Sequence, residues 1–145
     1  MTPAERQLIE WECRQLALRF TAHCDRQEWR EACALLTEDA EFARPTDPDN
    51  PLRGREAIQA AFEARPATRI TRHICTNFIV NARSETEVTG QMYAVLYTGE
   101  AGSDDAPITI ADEKQFIGEF QDDYVRTEHG WRIRKRIGRI VLATK

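Results

Sequence analysis

The amino-acid sequence predicts one α+β domain, in which N-terminal helices cover one side of a long, curved, antiparallel sheet. Up to residue 66 the apolar side chains recur every three or four positions, as on a helix. From residue 69 they alternate with polar side chains, as on a strand. Helices that precede the strands, instead of alternating with them, are typical of the α+β class. A chain of 145 residues has the size of one domain with one core, so residues 1–145 are assigned to a single domain.

Three helices are predicted in the first half of the chain. The first begins at Pro3, because Thr2 can cap it and Glu5 stands where a capping-box carboxylate reaches back, and it ends near Asp25. The second lies in EWREACALLTEDA and the third in GREAIQAAFEARP, where Pro66 stops it. Between these two, ARPTDPDNPLRG has the proline and aspartate density of an exposed loop. The predicted inner faces of the helices comprise Ile9, Cys13, Leu16, Phe20, Cys24, Trp29, Ala32, Cys33, Leu36, Ala57, Ile58, Ala61 and Phe62.

Four long strands are predicted in the second half, and a short strand near residues 40–44 would complete the sheet. The long strands cover about residues 69–81, 85–99, 108–126 and 130–143, which are rich in Val, Ile, Thr, Tyr and Phe. The segments between them contain turn-forming residues and are short. Neighbouring strands are therefore expected to run antiparallel, as a meander.

Composition limits the partners and the chemistry. A net charge of −4, with basic and acidic residues mixed, argues against nucleic acid as a partner, and the basic segment RIRKRIGR is interpreted as the outer face of a strand. No apolar run approaches the ~20 residues of a membrane span, and the N-terminal residues lack a signal-peptide pattern. A cytoplasmic protein is expected, with its four cysteines reduced. No metal-binding or cofactor-binding motif is recognised, so neither group is expected.

Among the three histidines, His73 is the one whose position indicates acid–base chemistry. His129 lies in a turn, and His23 lies near the exposed end of the first helix, where contact with the helix dipole explains it. If the polar face of the His73 strand lines a ligand cavity, the aliphatic face packs on a partner subunit. If the aliphatic face is core, His73 faces water. Alternation places Cys75, Asn77 and Ile79 on the face of His73, and Ile70, Ile74, Phe78 and Val80 on the other.

Asp122, Asp123 and Cys75 are further candidates for parts of a site. Asp122 and Asp123 point to opposite faces of a strand, so they are not expected to act as a carboxylate pair. Asp122 shares a face with Phe120 and Tyr124 and is predicted to point inward, with a solvated face as the open alternative. Cys75 lies roughly 7 Å along the strand from His73, which is long for a thiolate–imidazole pair, so it is interpreted as a structural thiol.

The order of four segments resembles the SnoaL-like branch of the nuclear-transport-factor-2-like superfamily. These segments are HCDRQEWREACALLTEDAEF, PLRGREAIQAAF, TRHICTN and GEFQDDYVRTEHGWRIRKR, and they span nearly the whole chain. The resemblance implies a cone-shaped, strongly bent sheet closed by helices around a pocket, often in a homodimer. In members similar to scytalone dehydratase, an aspartate at the end of helix 1 and a histidine on the first meander strand meet in the pocket. These match Asp25 and His73.

The matched pair implies a cofactor-independent lyase or isomerase that acts on a small, largely apolar carbonyl or hydroxy compound. Asp25 would accept a hydrogen bond from one ring nitrogen of His73 and fix its tautomer, so that the other nitrogen takes a proton beside a carbonyl. The chain departs from those dehydratases in two places. Cys24 stands where they carry a tyrosine, and Tyr97 or Thr98 stands where their second histidine is expected. These departures put a complete dehydration machinery in doubt.

The pocket is expected to be lined mainly by aromatic side chains, any of which could instead be core. The competing hypothesis is noncatalytic: a small-ligand-binding or scaffolding domain similar to the small subunits of ring-hydroxylating dioxygenases. The residues predicted to contact the ligand or line the pocket are Trp11, Phe20, Trp29, Met92, Tyr97, Thr98, Phe120, Asp122, Tyr124 and Trp131.

A homodimer through the outer face of the sheet is also predicted. If His73 faces the cavity, then alternation places Ile74, Phe78 and Val80 on the outer face as an exposed apolar patch. A twofold axis would let that patch cover its own copy.

Overall fold

The computed structural model describes residues 1–145 and contains three helices and six strands. The helices are α1 (Pro3–Asp25), α2 (Trp29–Cys33) and α3 (Arg55–Glu63). The strands are β1 (Leu36–Arg44), β2 (Asp47–Arg53), β3 (Arg69–Ala82), β4 (Glu87–Glu100), β5 (Phe116–Thr127) and β6 (Gly130–Ala143). They form one curved, open sheet in the order β2-β1-β6-β5-β4-β3, with the helices packed against it. The predicted α+β class is confirmed.

The sheet is mixed, which corrects the prediction of a purely antiparallel one. Strands β3 to β6 form the expected antiparallel meander, and β1 pairs antiparallel with β2. However, β1 pairs parallel with β6. These two strands are far apart in sequence, so no short turn constrains their relative direction.

Helix α1 has the predicted bounds. The Thr2 hydroxyl accepts the Glu5 N–H at 3.2 Å, and the Glu5 carboxylate accepts the Thr2 N–H at 2.6 Å, which completes a capping box. The apolar side chains predicted to be buried, among them Phe20 and Cys24, are buried. This helix lies across the sheet and contacts β3 most extensively.

The segment after α1 differs from its prediction in two ways. Helix α2 is only five residues long, and Leu36 is buried as the first residue of β1. The proline-rich and aspartate-rich segment predicted as a loop contains β2, which pairs with β1. Because β2 is an edge strand, its prolines need not donate to a second neighbour, which is why a sheet tolerates them there.

Strand β5 begins at Phe116, whereas the alternating pattern predicted a strand from residue 108. Residues 101–115 form an irregular connection with one isolated bridge, between Gly99 and Ala111. The side chains of Ile108 and Ile110 are 79% and 80% exposed. An alternating sequence therefore does not form a strand where no neighbouring strand pairs with it.

A β-bulge in β3 reverses the alternation of its side chains. Thr76 pairs with Tyr93 and Ile79 with Gln91, so two residues of β3 lie opposite one residue of β4. Asn77, in the bulge, has φ of 56°, a left-handed conformation that asparagine tolerates better than most residues. Before the bulge odd-numbered side chains face inward, and after it even-numbered ones do.

The prediction that Phe78 and Val80 lie on the outer face is therefore wrong. Both are partly buried and pack against the hydrophobic core, whereas Ile74 is 54% exposed as predicted. The prediction assumed an uninterrupted strand, and the bulge inserts one residue into it.

A second bulge has the same effect in β6. Asp123 pairs with Lys135 and Tyr124 with Ile133, so Arg134 is the inserted residue. Consequently Arg136 turns inward and is 2% exposed, which contradicts the interpretation of RIRKRIGR as an outer face throughout. The bulge in β3 thus turns Phe78 and Val80 toward the core, and the bulge in β6 turns the charged Arg136 inward.

Candidate active site

Asp25 and His73 form a hydrogen-bonded pair where the end of α1 meets β3. The distance between His73 Nδ1 and Asp25 Oδ1 is 2.6 Å. The carboxylate also accepts the backbone N–H of His73 at 2.8 Å and the hydroxyl of Thr71 at 2.9 Å. Three hydrogen bonds from one strand therefore hold the carboxylate in a single orientation.

The electrostatics of Asp25 determine which nitrogen of His73 carries the proton. Burial raises the pKa of Asp25, but the hydrogen bonds and charge of His73 and the hydroxyl of Thr71 outweigh burial, so the pKa lies below its ordinary value. Because the ionised carboxylate only accepts hydrogen bonds, Nδ1 of His73 must be the donor. In the neutral ring Nε2 is then the proton acceptor.

His73 lies on the wall of an inner cavity of about 320 Å³. The cavity lies between α1 and the inner face of the sheet, and aromatic rings supply most of its apolar surface. Its size is at the lower end of small-ligand sites. The lining residues are Phe20, Thr21, Cys24, Phe42, Arg44, Pro45, Thr46, Phe62, Arg65, Thr71, His73, Leu96, Phe120 and Arg136.

An outer cavity of about 420 Å³ adjoins the inner one. The two share Pro45, Thr46, His73, Leu96 and Phe120. The outer cavity extends along β4, β5 and β6 and is rimmed by Arg69, Thr98, Asp112 and Lys114. His73 therefore contacts both spaces.

Gly138 keeps the wall shared by the two cavities closely packed. A Cβ built on this glycine would lie 2.5 Å from Pro45 Cγ and 2.8 Å from Phe120 Cε1. Only a residue without a side chain allows both rings this close to β6.

A second polar group, made of Asp122, Tyr124 and Arg136, lies beneath the inner cavity. Arg136 donates from Nε and Nη2 to the two carboxylate oxygens of Asp122, each at 2.8 Å, and the Tyr124 hydroxyl donates to Asp122 Oδ2 at 2.6 Å. The guanidinium also lies over the rings of Phe20 and Phe120. Burial and the charge of Asp122 raise the pKa of Tyr124, so its hydroxyl stays protonated.

The structure brings some of the predicted site residues together and separates others. His73, Phe20 and Phe120 line the inner cavity, with Asp25 behind His73, and Thr98 lies at the rim of the outer cavity, where its hydroxyl donates to Asp112 at 2.7 Å. Asp122 points inward as predicted, but Arg136 and Tyr124 occupy its carboxylate.

The remaining predicted pocket residues lie elsewhere. Trp11 is 55% exposed, and Trp131 borders a different groove beside α1. Tyr97 is on the opposite strand face from Leu96 and Thr98. The other three are part of the core or pack against it: Trp29, Met92 and Tyr124.

Sequence reasoning missed three arginines that line the inner cavity: Arg44, Arg65 and Arg136. Arg136 was misplaced because the bulge at Arg134 has no distinctive residue. Arg44 and Arg65 lay in segments predicted as a loop and as a helix end, where basic residues are ordinarily solvated.

None of the four cysteines is in a disulfide, and burial raises the pKa of Cys24, which lines the cavity, to about 12. No group of three or more His, Cys, Asp or Glu side chains is arranged to hold a metal ion.

A curved open sheet with N-terminal helices packed against it is the nuclear-transport-factor-2-like fold. Within that fold class the chain belongs to the SnoaL-like domain family, whose profile matches residues 5–137. No curated protein matches the chain. None of its helices is long and apolar enough to cross a membrane.

Three solved structures illustrate the likeness of fold. One, from Novosphingobium aromaticivorans and provisionally named a scytalone dehydratase, is 21% identical with a TM-score of 0.78, over 95% of this chain and 88% of that one. An NTF2-like protein with a cystatin-like fold from the same organism is 20% identical, with a TM-score of 0.72, over 93% and 84%. The hexachlorocyclohexane dehydrochlorinase LinA type 2 is 14% identical, with a TM-score of 0.73, over 95% and 91%.

Proposed function

We propose that this protein is a cofactor-independent lyase or isomerase of the dehydratase kind, with His73 as general base and Asp25 as the residue that positions it. The observation that carries the proposal is the 2.6 Å hydrogen bond between His73 Nδ1 and Asp25, at the wall of an apolar cavity. Structures of similar fold include proteins named as a dehydratase and a dehydrochlorinase, and both names describe eliminations.

The reaction begins with proton transfer from carbon to Nε2 of His73. The proton comes from a carbon beside a carbonyl, and the electron pair of the broken C–H bond forms an enolate. In a dehydration the enolate expels a β-hydroxyl group, which leaves as water with the proton of His73. In an isomerisation the same proton returns to a different carbon. Asp25, which is ionised, stabilises the imidazolium that forms between the two steps.

The surroundings of the pair favour such a reaction. Phe20, Phe42 and Phe62 exclude water from one side of the cavity, which strengthens electrostatic interactions inside it. Arg136 donates from two nitrogens to Asp122, and its guanidinium also lines the cavity. It is the positive end of this ion pair, and it favours the negative charge of an enolate. The substrate class is thus a small, largely apolar carbonyl or hydroxy compound.

Proton exchange tests the proposal without knowledge of the natural substrate. Small aromatic and terpenoid ketones are incubated in D₂O with the protein, and loss of the α-proton signal is followed by NMR. We expect the protein to accelerate exchange for at least one ketone, and His73→Gln to slow that exchange by about 10²-fold or more. Thermal unfolding of the variant measures whether the fold is retained.

His129→Gln is the matched control, because His129 lies in an exposed turn far from the cavity. It should exchange protons as fast as the unmodified protein does. Full exchange by His73→Gln would contradict the assignment of the base. A protein that binds these ketones and exchanges none of their protons would instead be the noncatalytic binding domain.

We also propose that the chain forms a homodimer through the outer face of the sheet. Ile74, Val95 and Ile117 are directly opposite one another on β3, β4 and β5, and Tyr93 lies beside them. Ile74 and Tyr93 are 54% and 49% exposed. An apolar row in the middle of a sheet face is a surface that a second copy would cover.

Sedimentation velocity at micromolar concentration tests the dimer. Ile74→Glu should convert it to a monomer, because the charge would be buried in the interface. Ile108→Glu is the control, since Ile108 is more exposed but lies in the connection before β5. A monomeric unmodified protein would contradict the proposal.

A further inference from the structure

Two arginines at the mouth of the inner cavity have no assigned role in proton transfer. Arg44 ends β1 and Arg65 follows α3, and both side chains line the cavity; Arg44 is half-buried and Arg65 is exposed to solvent. They lie close enough for the positive charge of Arg44 to act on Arg65. Desolvation beside the Phe62 and Trp29 rings lowers the pKa of the Arg65 guanidinium, and the charge of Arg44 lowers it further.

The charges at this mouth are only partly compensated. Arg44 has one carboxylate neighbour, Asp47, with 3.6 Å between Nη2 and Oδ2. Arg65 contacts rings instead of a carboxylate: its guanidinium lies 4.4 Å from the ring centroid of Phe62 and 5.5 Å from that of Trp29. The two arginines and one aspartate leave one positive charge in excess.

Arg44 also has a buried donor without a partner. Its Nε has no hydrogen-bond acceptor, and buried donors of this kind are uncommon in folded proteins. A donor in this position would be satisfied by an acceptor that enters the cavity. The planar guanidinium groups match the geometry of a carboxylate.

The other arginines at the two cavities are paired with carboxylates. Arg69, at the outer cavity, donates to Glu100 at 3.1 Å and to Asp112 at 2.5 Å. Arg136 is neutralised by Asp122 through two hydrogen bonds. Among the arginines of the two cavities, only Arg44 and Arg65 carry excess charge, and they lie on the side of the inner cavity lined by Phe42 and Phe62.

We infer that Arg44 and Arg65 form an anion subsite that binds a carboxylate group of the ligand, while the apolar body of the ligand lies against the phenylalanine rings. The inference rests on the proposed function only for the identity of the cavity as the ligand site, and it names the substrate class more narrowly. A single excess charge fits a monoanion better than a phosphate dianion. The substrate is thus an apolar carboxylic acid with a proton that His73 can remove.

Calorimetric titration with 2-naphthoate and 2-naphthamide tests the subsite, since the two probes share a shape and differ in charge. We expect the acid to bind about tenfold more tightly than the amide at low salt, and the preference to decrease as salt is added. Arg65→Gln and Arg44→Gln should each reduce the affinity for the acid and leave that for the amide unchanged. The double variant should abolish the preference.

Arg69→Gln is the matched control and should retain the preference, because Arg69 already has carboxylate partners. Equal binding of the acid and the amide, binding of neither, or a preference that survives the double variant would overturn the inference. So would tighter binding of 2-naphthyl phosphate than of the acid. The His73→Gln variant should keep the full preference, so failure of the catalytic proposal would be seen in proton exchange and failure of the subsite in binding.

Discussion

Two carboxylates on the inner side of the same sheet are hydrogen-bonded to side-chain nitrogens, Asp25 to His73 and Asp122 to Arg136, and the two pairs differ in exposure and chemistry. Both pairs include a hydroxyl group as well, from Thr71 in the first case and from Tyr124 in the second. The side chains of Asp122 and Arg136 are each 2% exposed, whereas those of Asp25 and His73 are 10% and 20% exposed. Against the effect of burial, the carboxylate of Asp122 also raises the pKa of Arg136, so the guanidinium stays protonated.

The difference between the pairs shows what makes a polar group suitable for chemistry. In the Asp122 group both carboxylate oxygens accept hydrogen bonds from donors that stay protonated, so the carboxylate links β5 to β6 and is not available as a proton acceptor. In the Asp25 group the carboxylate fixes one nitrogen of an imidazole and leaves the other nitrogen available as a proton acceptor. Variants that remove one carboxylate or the other test the distinction.

The largest effect is expected for Asp122→Ala, which should lower the free energy of unfolding by about 3–5 kcal/mol. The substitution leaves the charge of Arg136 buried without a counter-charge and removes the acceptor of the Tyr124 hydroxyl. Chemical denaturation measures the change. The control is Asp123→Ala, on the outer face of the same strand, which should change stability by no more than about 0.5 kcal/mol. Similar values for the two variants would mean that the buried ion pair is not a stabilising unit.

Asp25→Asn is expected to act mainly on proton transfer. The backbone N–H of His73 requires an acceptor at the position of Oδ2, so the amide nitrogen takes the other position and donates to Nδ1. The ring would then carry its proton on Nε2, the wrong nitrogen for a base. Proton exchange from the ketones should slow by about 10²-fold, roughly 3 kcal/mol of activation free energy.

The matched control for this variant is Glu28→Gln, which alters another carboxylate–imidazole contact, 3.2 Å from His23 Nδ1 and outside both cavities. It should leave the exchange rate unchanged. Normal exchange in Asp25→Asn would show that the carboxylate does not select the tautomer of His73.

The smallest effect is expected when the pH is lowered and the free energy of unfolding is measured. Because the pKa of Asp25 is lowered in the folded protein, its ionised form stabilises the fold above the unfolded value of 3.8, and this contribution is lost as the pH falls through the folded pKa. The unfolding free energies of the unmodified protein and of Asp25→Asn should therefore converge below about pH 4. Denaturation curves between pH 7 and pH 3 measure the convergence, and parallel pH profiles would contradict it.

The sequence was sufficient to predict most of the fold and the contact between Asp25 and His73 in the candidate site. The capping box of Thr2 and Glu5 marked the start of α1, and the change of period at residue 69 marked the meander. Asp25 and His73 were identified through the family resemblance, which relates positions far apart in the chain. Alternation alone left open which way His73 points.

What could not be predicted depends on single inserted residues and on distant pairing. The bulges at Asn77 and Arg134 each shift the alternation by one residue, and neither asparagine nor arginine is a reliable sign of a bulge. For this reason Phe78 and Arg136 were assigned to the wrong faces. Strand β2 was missed because its proline-rich sequence does not itself indicate a strand. Pairing with β1 holds this segment extended.

The parallel pairing of β1 with β6 has a consequence for the order in which the protein is assembled. During synthesis β1 and β2 can pair early, but the other edge of β1 waits until β6 has emerged. Until then Phe42 has no β6 to pack beside, and an unpaired strand with an apolar side chain is open to wrong partners. Late, long-range pairing of this kind also slows folding. The wall that carries Arg44 is thus completed last, so a cavity able to bind a ligand marks a chain whose sheet is complete.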